Sequence, residues 1–342
     1  MIRTAQISIT EANTCKLLLL DSIFIESKKV VNLYIDELWK RKDFLSKFTN
    51  FKVNTWLSSR LQQCLGKQAL GIIRSQRKKK KLHKPFFKKD VINFDPRFID
   101  IQYDNNSFDI WFKLSSIGNK ICLKLPGKKH KHFHKYDSWN VKKSYTLRKI
   151  GKRYFVDMIF EKEAPEFKLS GKEIGIDQGY NKLIATSECE KLDTGLKQIY
   201  NKISNKKQGS KAFKKALIER DNKINESVNL IPFEEIKTIV VEDLKNVKYK
   251  SKFKKDVNNK LQRWSYSKVL KMLSLRCEEF GIFLKKINPA YTSQTCSSCG
   301  FIHRNNRCRE EFLCLKCGID LDADYNAAKN ILHRGVYSLS TI

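Results

Sequence analysis

The chain is short of acid. It has 36 Asp and Glu against 68 Lys and Arg, for a formal net charge of +32 over 342 residues. That imbalance repels itself unless something anionic neutralises it. The basic residues are spread along most of the chain and not gathered on one amphipathic helix, which points to nucleic acid over an acidic membrane surface. A long apolar run is also lacking. Leu17–Ile25 is short and broken by Asp21, so no bilayer span is expected. The opening residues MIRTAQISIT have no apolar h-region, and no secretory leader is expected. Nor do the cysteines form a disulfide framework. Four of the ten make two CxxC pairs and the others are scattered, the usage of a reducing compartment. Disorder is excluded as well, because 41% of the residues are hydrophobic and 11% aromatic, enough for two or three domains.

The first half changes texture twice. Residues 1–10 suit a short strand. Asp21–Trp39 and the stripe Leu57, Leu61, Cys64, Leu65, Ala69, Ile72, Ile73 read as helices, the second ending in the basic run Arg77–Lys81. This gives a helical insert over 11–82. Strands are expected at Val91–Phe94, Phe98–Tyr103, Ser107–Lys113, Lys120–Leu125 and Lys152–Glu161, with turns at Asp104-Asn105-Asn106 and Ile117-Gly118-Asn119. Residues 83–165 should close into a β-barrel with help from 1–10 and with the helices hanging from it. His130, His132 and His134 alternate, but GKKHKHFHK fits an exposed basic loop better than a metal-binding strand.

Beyond Pro165 the pattern becomes strand, strand, helix, strand, helix, strand, an α/β layer. EIGIDQGYNKLIATS, residues 173–187, reads as a strand ending on Asp177, a turn permitted by Gly179, and a second strand. Ile174 and Ile176 share one face, and Gly175 leaves room for a close neighbour on the other. Lys207–Asn229 and Leu261–Phe280, the latter including Trp264, suit helices. IKTIVVED, residues 236–243, is an apolar strand of the buried parallel type, ending on Glu242 and Asp243. Ile282–Ile287 is another strand. A carboxylate at the mouth of a buried strand is costly unless a cation or a hydrogen bond faces it.

Two clusters bear on chemistry. Cys296-x2-Cys299 and Cys314-x2-Cys317 are fourteen residues apart, and each pair is followed by glycine, Gly300 and Gly318. Four thiolates at that spacing suit a closed tetrahedral zinc site. Cys308 and His303 lie between the knuckles without a knuckle partner. The second cluster is acidic. DADYNAAKNIL, residues 322–332, reads as a helix start, with one of Asp322 and Asp324 as N-cap and Gly335 as a cap at the far end. Two acids at strand ends and one at a helix start can hold two Mg2+ or Mn2+ ions. Such a pair, about 4 Å apart, activates water and stabilises a leaving oxygen in phosphodiester cleavage.

GIDQGYNKLIATS, VVEDL, NPAYTSQTCSSCG, FLCLKCG and DADYNAAKNIL, in this order, resemble the TnpB family of insertion-sequence accessory proteins, which is related to the type V CRISPR effectors. The resemblance is specific over 170–335 and looser before it. It implies a multidomain α+β and α/β protein: a wedge-like β-barrel (1–10 and 83–165) carrying a helical recognition insert (11–82), then an RNase H-like RuvC nuclease (166–290 and 321–342) with an inserted zinc ribbon (291–320). It implies that Asp177, Glu242 and Asp324 hold magnesium and are catalytic, Asp324 being preferred because the family's third acid stands two residues before the Asn of the D-x-N-A-A segment, here Asn326. It implies that Cys296, Cys299, Cys314 and Cys317 hold zinc. Ala323 departs from the family, where a basic residue is common.

The resemblance further implies an RNA-guided DNA endonuclease of a mobile element, cutting beside a short target-adjacent motif. Its partners would be a guide RNA from the element's end and double-stranded target DNA, with no membrane. It would be a monomer or weak dimer, cytoplasmic and nucleoid-associated in a prokaryote. A guide–target heteroduplex of roughly 20 bp has about 40 phosphate charges, which the chain's excess base would partly offset. Some relatives have lost their acids and only bind, whereas all three acids are present here. A transposase joining DNA ends and a plain zinc-ribbon binder are the rival readings. The last leaves the apolar strands that end in acids unexplained.

Overall fold

The computed structural model describes residues 1–41, 51, 53–105, 107–116, 121–179, 182–192, 195–244 and 265–337. The Ile117-Gly118-Asn119 turn and the stretch 261–264 with Trp264 lie outside the described residues. The chain divides into two compact units, Met1–Glu163 and Ala164–Ile342.

The first unit begins with β1 (Ile2–Ser8), then α1 (Thr14–Lys40) and α2 (Ser59–Arg77). Five strands follow, β2 (Val91–Phe94), β3 (Ile99–Asn105), β4 (Phe108–Ser115), β5 (Cys122–Gly127) and β6 (Asn140–Ile150), and β7 (Arg153–Glu161) closes the unit. Among the described residues these strands are hydrogen-bonded as two antiparallel sheets, β1-β7-β6-β2 and β3-β4-β5. Leu20, Ile23, Phe24, Val30, Val31, Tyr34, Ile35 and Leu38 recur at helical spacing on the buried face of α1. The apolar run from Leu17 is absorbed into that helix, and no described helix is long and apolar enough to cross a membrane.

Both helices and both sheets share one hydrophobic core, so the helices do not hang from the strands. Asp21 of α1 accepts hydrogen bonds from Lys149 Nζ and, at 2.8 Å, from Tyr154 OH, tying the helix to β6 and β7. Strand β6 was not expected. Its register against β7 shifts between Lys142 and Tyr145, and such a bulge breaks the alternation by which strands are read. The His130 segment is a loop leading into a short 3-10 turn, Phe133–Tyr136. His130 bonds to the Gln6 carbonyl and His134 to Asp137.

The second unit holds a mixed sheet in the order β10-β9-β8-β11-β12. Its members are β8 (Lys172–Asp177), β9 (Ile184–Thr186), β10 (Lys191–Leu192), β11 (Ile236–Glu242) and β12 (Phe283–Ile287). Strands β8, β11 and β12 run parallel, with Ile174, Gly175 and Ile176 opposite Ile239, Val240 and Val241, and β9 runs antiparallel to β8. Helices α3 (Leu196–Ser204), α4 (Lys211–Asn229) and α5 (Tyr266–Phe280) pack with one face. Ile174, Ile176, Ile239 and Val241 point into that core. Val240 points the other way and joins Ile331 and Leu332 of α6 (Ala323–Val336), as the two-residue period of a strand requires. Helix α3 was not expected either: nine residues with a narrow apolar face of Leu196, Ile199, Tyr200 and Ile203.

Between β12 and α6 lies a small sheet of β13 (Arg307–Cys308), β14 (Glu311–Leu313) and β15 (Asp320–Asp322). Strand β15 runs straight into α6. Gly335 corrects its expected role: it lies inside α6, which ends at Val336 with Tyr337 as cap. A Cβ on Gly335 would strike the side chain of Val240. Gly175 plays the same part in β8, where a Cβ would come within 2.7 Å of Leu332 N and collide with the Ala328 carbonyl. Two missing side chains thus let α6 lie directly on β8 and β11.

Candidate functional site: a carboxylate cluster beside a thiol cluster

Asp177 closes β8 and Glu242 closes β11. One step beyond the Val241–Ile176 pairing these two acids stand side by side on neighbouring parallel strands. They occupy the carboxyl edge of the sheet, where open α/β sheets take their ligands. Asp324 reaches the same edge from the first turn of α6. The ambiguity between the two aspartates resolves cleanly. Asp322 is the N-cap, its Oδ1 accepting from Asp324 N and Tyr325 N at 3.1 Å. Asp324 is left free of that task.

The electrostatics join the three acids. Burial, then the charges of Glu242 and Asp324, push the Asp177 carboxyl up to about 7, against the opposing Arg307 and the Gln178 N–H. Asp177 keeps a partly accessible surface while protein surrounds its carboxyl group. Burial also raises Glu242, partly offset by the Thr292 hydroxyl, Arg334 and Arg307. The Thr292 hydroxyl donates to Glu242 Oε1. Asp324 Oδ1 accepts from Arg307 Nη2 at 2.7 Å, and Lys182 Nζ stands 3.9 Å from Oδ2. Lys182 is also 3.3 Å from both Asp322 and Glu310. The Asp243 backbone N–H donates to the Ile287 carbonyl at 2.8 Å.

The two clusters differ in tightness. Among the described residues, the sulfurs of Cys296, Cys299, Cys314 and Cys317 all lie within 4.8 Å of one another, and the three acids form no such knot. The Cys296–Cys317 and Cys299–Cys314 sulfurs are 3.7 and 3.6 Å apart. A tetrahedron with zinc–sulfur bonds of about 2.3 Å has edges of about 3.8 Å, so the four thiols fit a tetrahedral metal such as zinc. Each knuckle closes as the glycines foretell. Gly300 N and Gly318 N donate to the Cys296 and Cys314 carbonyls at 2.9 Å, with φ of 72° and 71°. His303 and Cys308 stay outside the group.

Several supports were not given that role from sequence. Asn326 Nδ2 donates to the Thr295 carbonyl at 2.8 Å and its Oδ1 accepts from Ser297 N at 2.9 Å. Asn330 Nδ2 donates to the Thr292 and Thr295 carbonyls. Polar residues at Asn326 and Asn330, i and i+4 on the buried face of an otherwise apolar helix, were the available signal.

A cleft of about 740 Å3 opens beside the acids, bordered by Gly179, Lys182, Arg307, Arg309, Glu310 and Asp324. A cavity of similar size, about 730 Å3, lies between α2 and β2 in the first unit, lined by groups such as Lys67, Gln68 and Ser75. Of the two, the first has Asp324 on its border.

Residues 266–331 match the Cas12f1-like, TNB domain family. Over 96 residues the chain is 43% identical to a CRISPR-associated endodeoxyribonuclease Cas12f1 of Sulfoacidibacillus thermotolerans, covering 28% of this chain and 21% of that one. Over 95 residues it is 33% identical to a TnpB-like protein of Aquifex aeolicus, covering 27% and 31%. The matched stretches thus span about a fifth to a third of these relatives' own length. A cryo-EM structure of a Cas12f1–sgRNA–target DNA complex shares the fold, with a TM-score of 0.53 at 16% identity over 80% of this chain and 70% of that one. Through its cysteine knuckles, its acid-bearing last helix and its fold, the chain is a relative of the TnpB-like and Cas12f1 proteins.

Proposed function

We propose that the protein is an RNA-guided DNA endonuclease whose RuvC-type site uses Asp177, Glu242 and Asp324 to hold Mg2+ or Mn2+. The observation that bears most on this is the Asp177 carboxyl, pushed up to about 7 by burial and by two further acids. Three carboxylates come to one sheet edge, and with Arg307, Lys182 and Arg334 beside them the Asp177 carboxyl is still raised. Hard divalent cations are the natural neutraliser. The names of the relatives, endodeoxyribonuclease and TnpB-like, give the substrate class. Zinc in the ribbon would be structural, since four thiolates leave no open position.

In this reading Asp177, Glu242 and Asp324 would hold divalent ions, and the chemistry these would supply is activation of water and stabilisation of a leaving oxygen. The residues around them have separate tasks. Thr292 fixes Glu242. Arg307 and Lys182 keep Asp324 turned toward the cleft and leave cationic groups beside a phosphate path. Burial keeps bulk water from the acids. The excess base of the whole chain grips guide RNA and target, while base pairing supplies sequence choice.

The test combines purified protein, RNA transcribed from the DNA flanking its coding region, Mg2+ and a plasmid bearing the matching target. Cleavage that requires the RNA and the metal and disappears in Asp177→Ala supports the proposal. Cleavage that persists without RNA, or in Asp177→Ala, overturns it. Target binding without cleavage by the wild-type chain would reduce it to an RNA-guided binder.

A further inference from the structure

Two of the three acids are held by residues of the cysteine-bearing segment. The Thr292 hydroxyl grips Glu242 and the Arg307 guanidinium grips Asp324. Asp177 instead accepts from the N–H of its own neighbour, Gln178. Thr292 opens a short strap, residues 291–297, that ends in the first knuckle. Four hydrogen bonds tie the strap to α6, one of them from Asn330 to the Thr295 carbonyl at 2.6 Å. Asn330 reaches the Thr292 carbonyl at 2.9 Å, Asn326 reaches the Thr295 carbonyl at 2.8 Å, and Ser297 N donates to Asn326 Oδ1 at 2.9 Å. Thr292, Asn326 and Asn330 are all buried, so these bonds meet little competition from water.

We infer that the zinc ribbon sets the divalent-cation affinity of the carboxylate site, with Thr292 as the positioning residue through which it does so. This rests on the proposed metal site at Asp177, Glu242 and Asp324. A glutamate has several rotatable bonds, and an ion gains from finding one rotamer already chosen. The Thr292 hydroxyl has one proton and two acceptors in reach, Glu242 and the Pro289 carbonyl at 3.0 Å. An ionised carboxylate is the stronger acceptor, so the proton goes to Glu242 when a cation holds it charged. The hydroxyl is only as well placed as the strap, and the strap is anchored at Cys296. Closing four thiolates on zinc therefore fixes Glu242 at a distance.

Mn2+ binding to the full chain, followed by the electron paramagnetic resonance of free Mn2+, tests this without using cleavage. Zinc content is measured in parallel. The site is defined as the binding lost in Asp177→Ala. Thr292→Val keeps the shape and removes the hydroxyl. It is expected to retain zinc and to weaken Mn2+ about 10- to 100-fold, with Thr292→Ser restoring most of it. Wild-type protein stripped of zinc and freed of chelator should show a loss of similar size, which also serves if Thr292→Val does not fold. Unchanged Mn2+ affinity in either arm overturns the inference while leaving the carboxylate site standing. No Asp177-dependent binding in the wild type overturns the carboxylate site and the inference with it.

Discussion

The thiol cluster and the carboxylate cluster sit in one unit and follow opposite designs. The four sulfurs come from two short knuckles and already lie within 4.8 Å of one another. The acids come from two strand ends and a helix start; burial raises Asp177 and Glu242, and the charges of Glu242 and Asp324 raise Asp177 further. A closed cluster of soft donors is set by local backbone turns. An open cluster of hard donors is set by the whole α/β layer. In the proposed reading the first holds a shape and the second takes cations and does work.

Four measurements can break or sharpen that contrast. The largest effect is expected from Cys314→Ser. Structural zinc in small sites is worth about 10–16 kcal/mol of binding free energy, so this variant should lose zinc by elemental analysis and lose the ordered signals of residues 291–322 in an amide-exchange experiment. If the ribbon stays protected without zinc, the thiol cluster is not its organiser.

Next comes pH. With the folded Asp177 at about 7 against an ordinary carboxylate near 4, both states are protonated below the ordinary value. Between roughly 4 and 7 the unfolded chain releases a proton that the folded chain keeps. Stability of the metal-free protein should fall by a few kcal/mol as pH rises through that window, then level off. Mg2+ should flatten the curve, and Asp177→Asn should remove most of the slope. A melting temperature that rises across the window instead would contradict the repulsion.

Gly175→Ala probes the packing under the acids. The added methyl meets the Ala328 carbonyl and Leu332 N, an overpacking of about 1–3 kcal/mol, read as a lower denaturation midpoint. Because α6 bears Asp324, cleavage should fall further than stability alone explains. The smallest effect is expected from Asp322→Ala, the lost N-cap, at about 1 kcal/mol. It should retain cleavage that Asp324→Ala does not. Equal loss in both would mean that the two aspartates do not divide the labour as described.

Much of this was legible in the residues. A strand that ends on an acid is visible because the apolar run stops there, as in Ile236–Glu242. The knuckles are visible because Cys-x2-Cys followed by Gly encodes a turn and its ligands together. Asp324 was separable from Asp322 only through the family's spacing, and the N-cap bond supplies the physical reason. Strand β6 was hidden by its bulge, and α3 by its length of nine residues. Gly335 was misread because a glycine near a helix end has two uses. It can cap, or it can admit a neighbour, and only Val240 packed against it reveals which. Thr292 was invisible for a plainer reason. Its partner Glu242 is fifty residues away, and a lone threonine bears no pattern.

The parallel alignment of β8 and β11 has one more implication. Side chains on a strand alternate between faces, so deleting a single residue upstream in β11 would slide the next position into the slot held by Glu242. That next position is Asp243. A frame slip that would erase a lone acid would here substitute a shorter one, drawing the oxygen back by about one methylene. The strand thus ends on two acids in succession, Glu242 and Asp243.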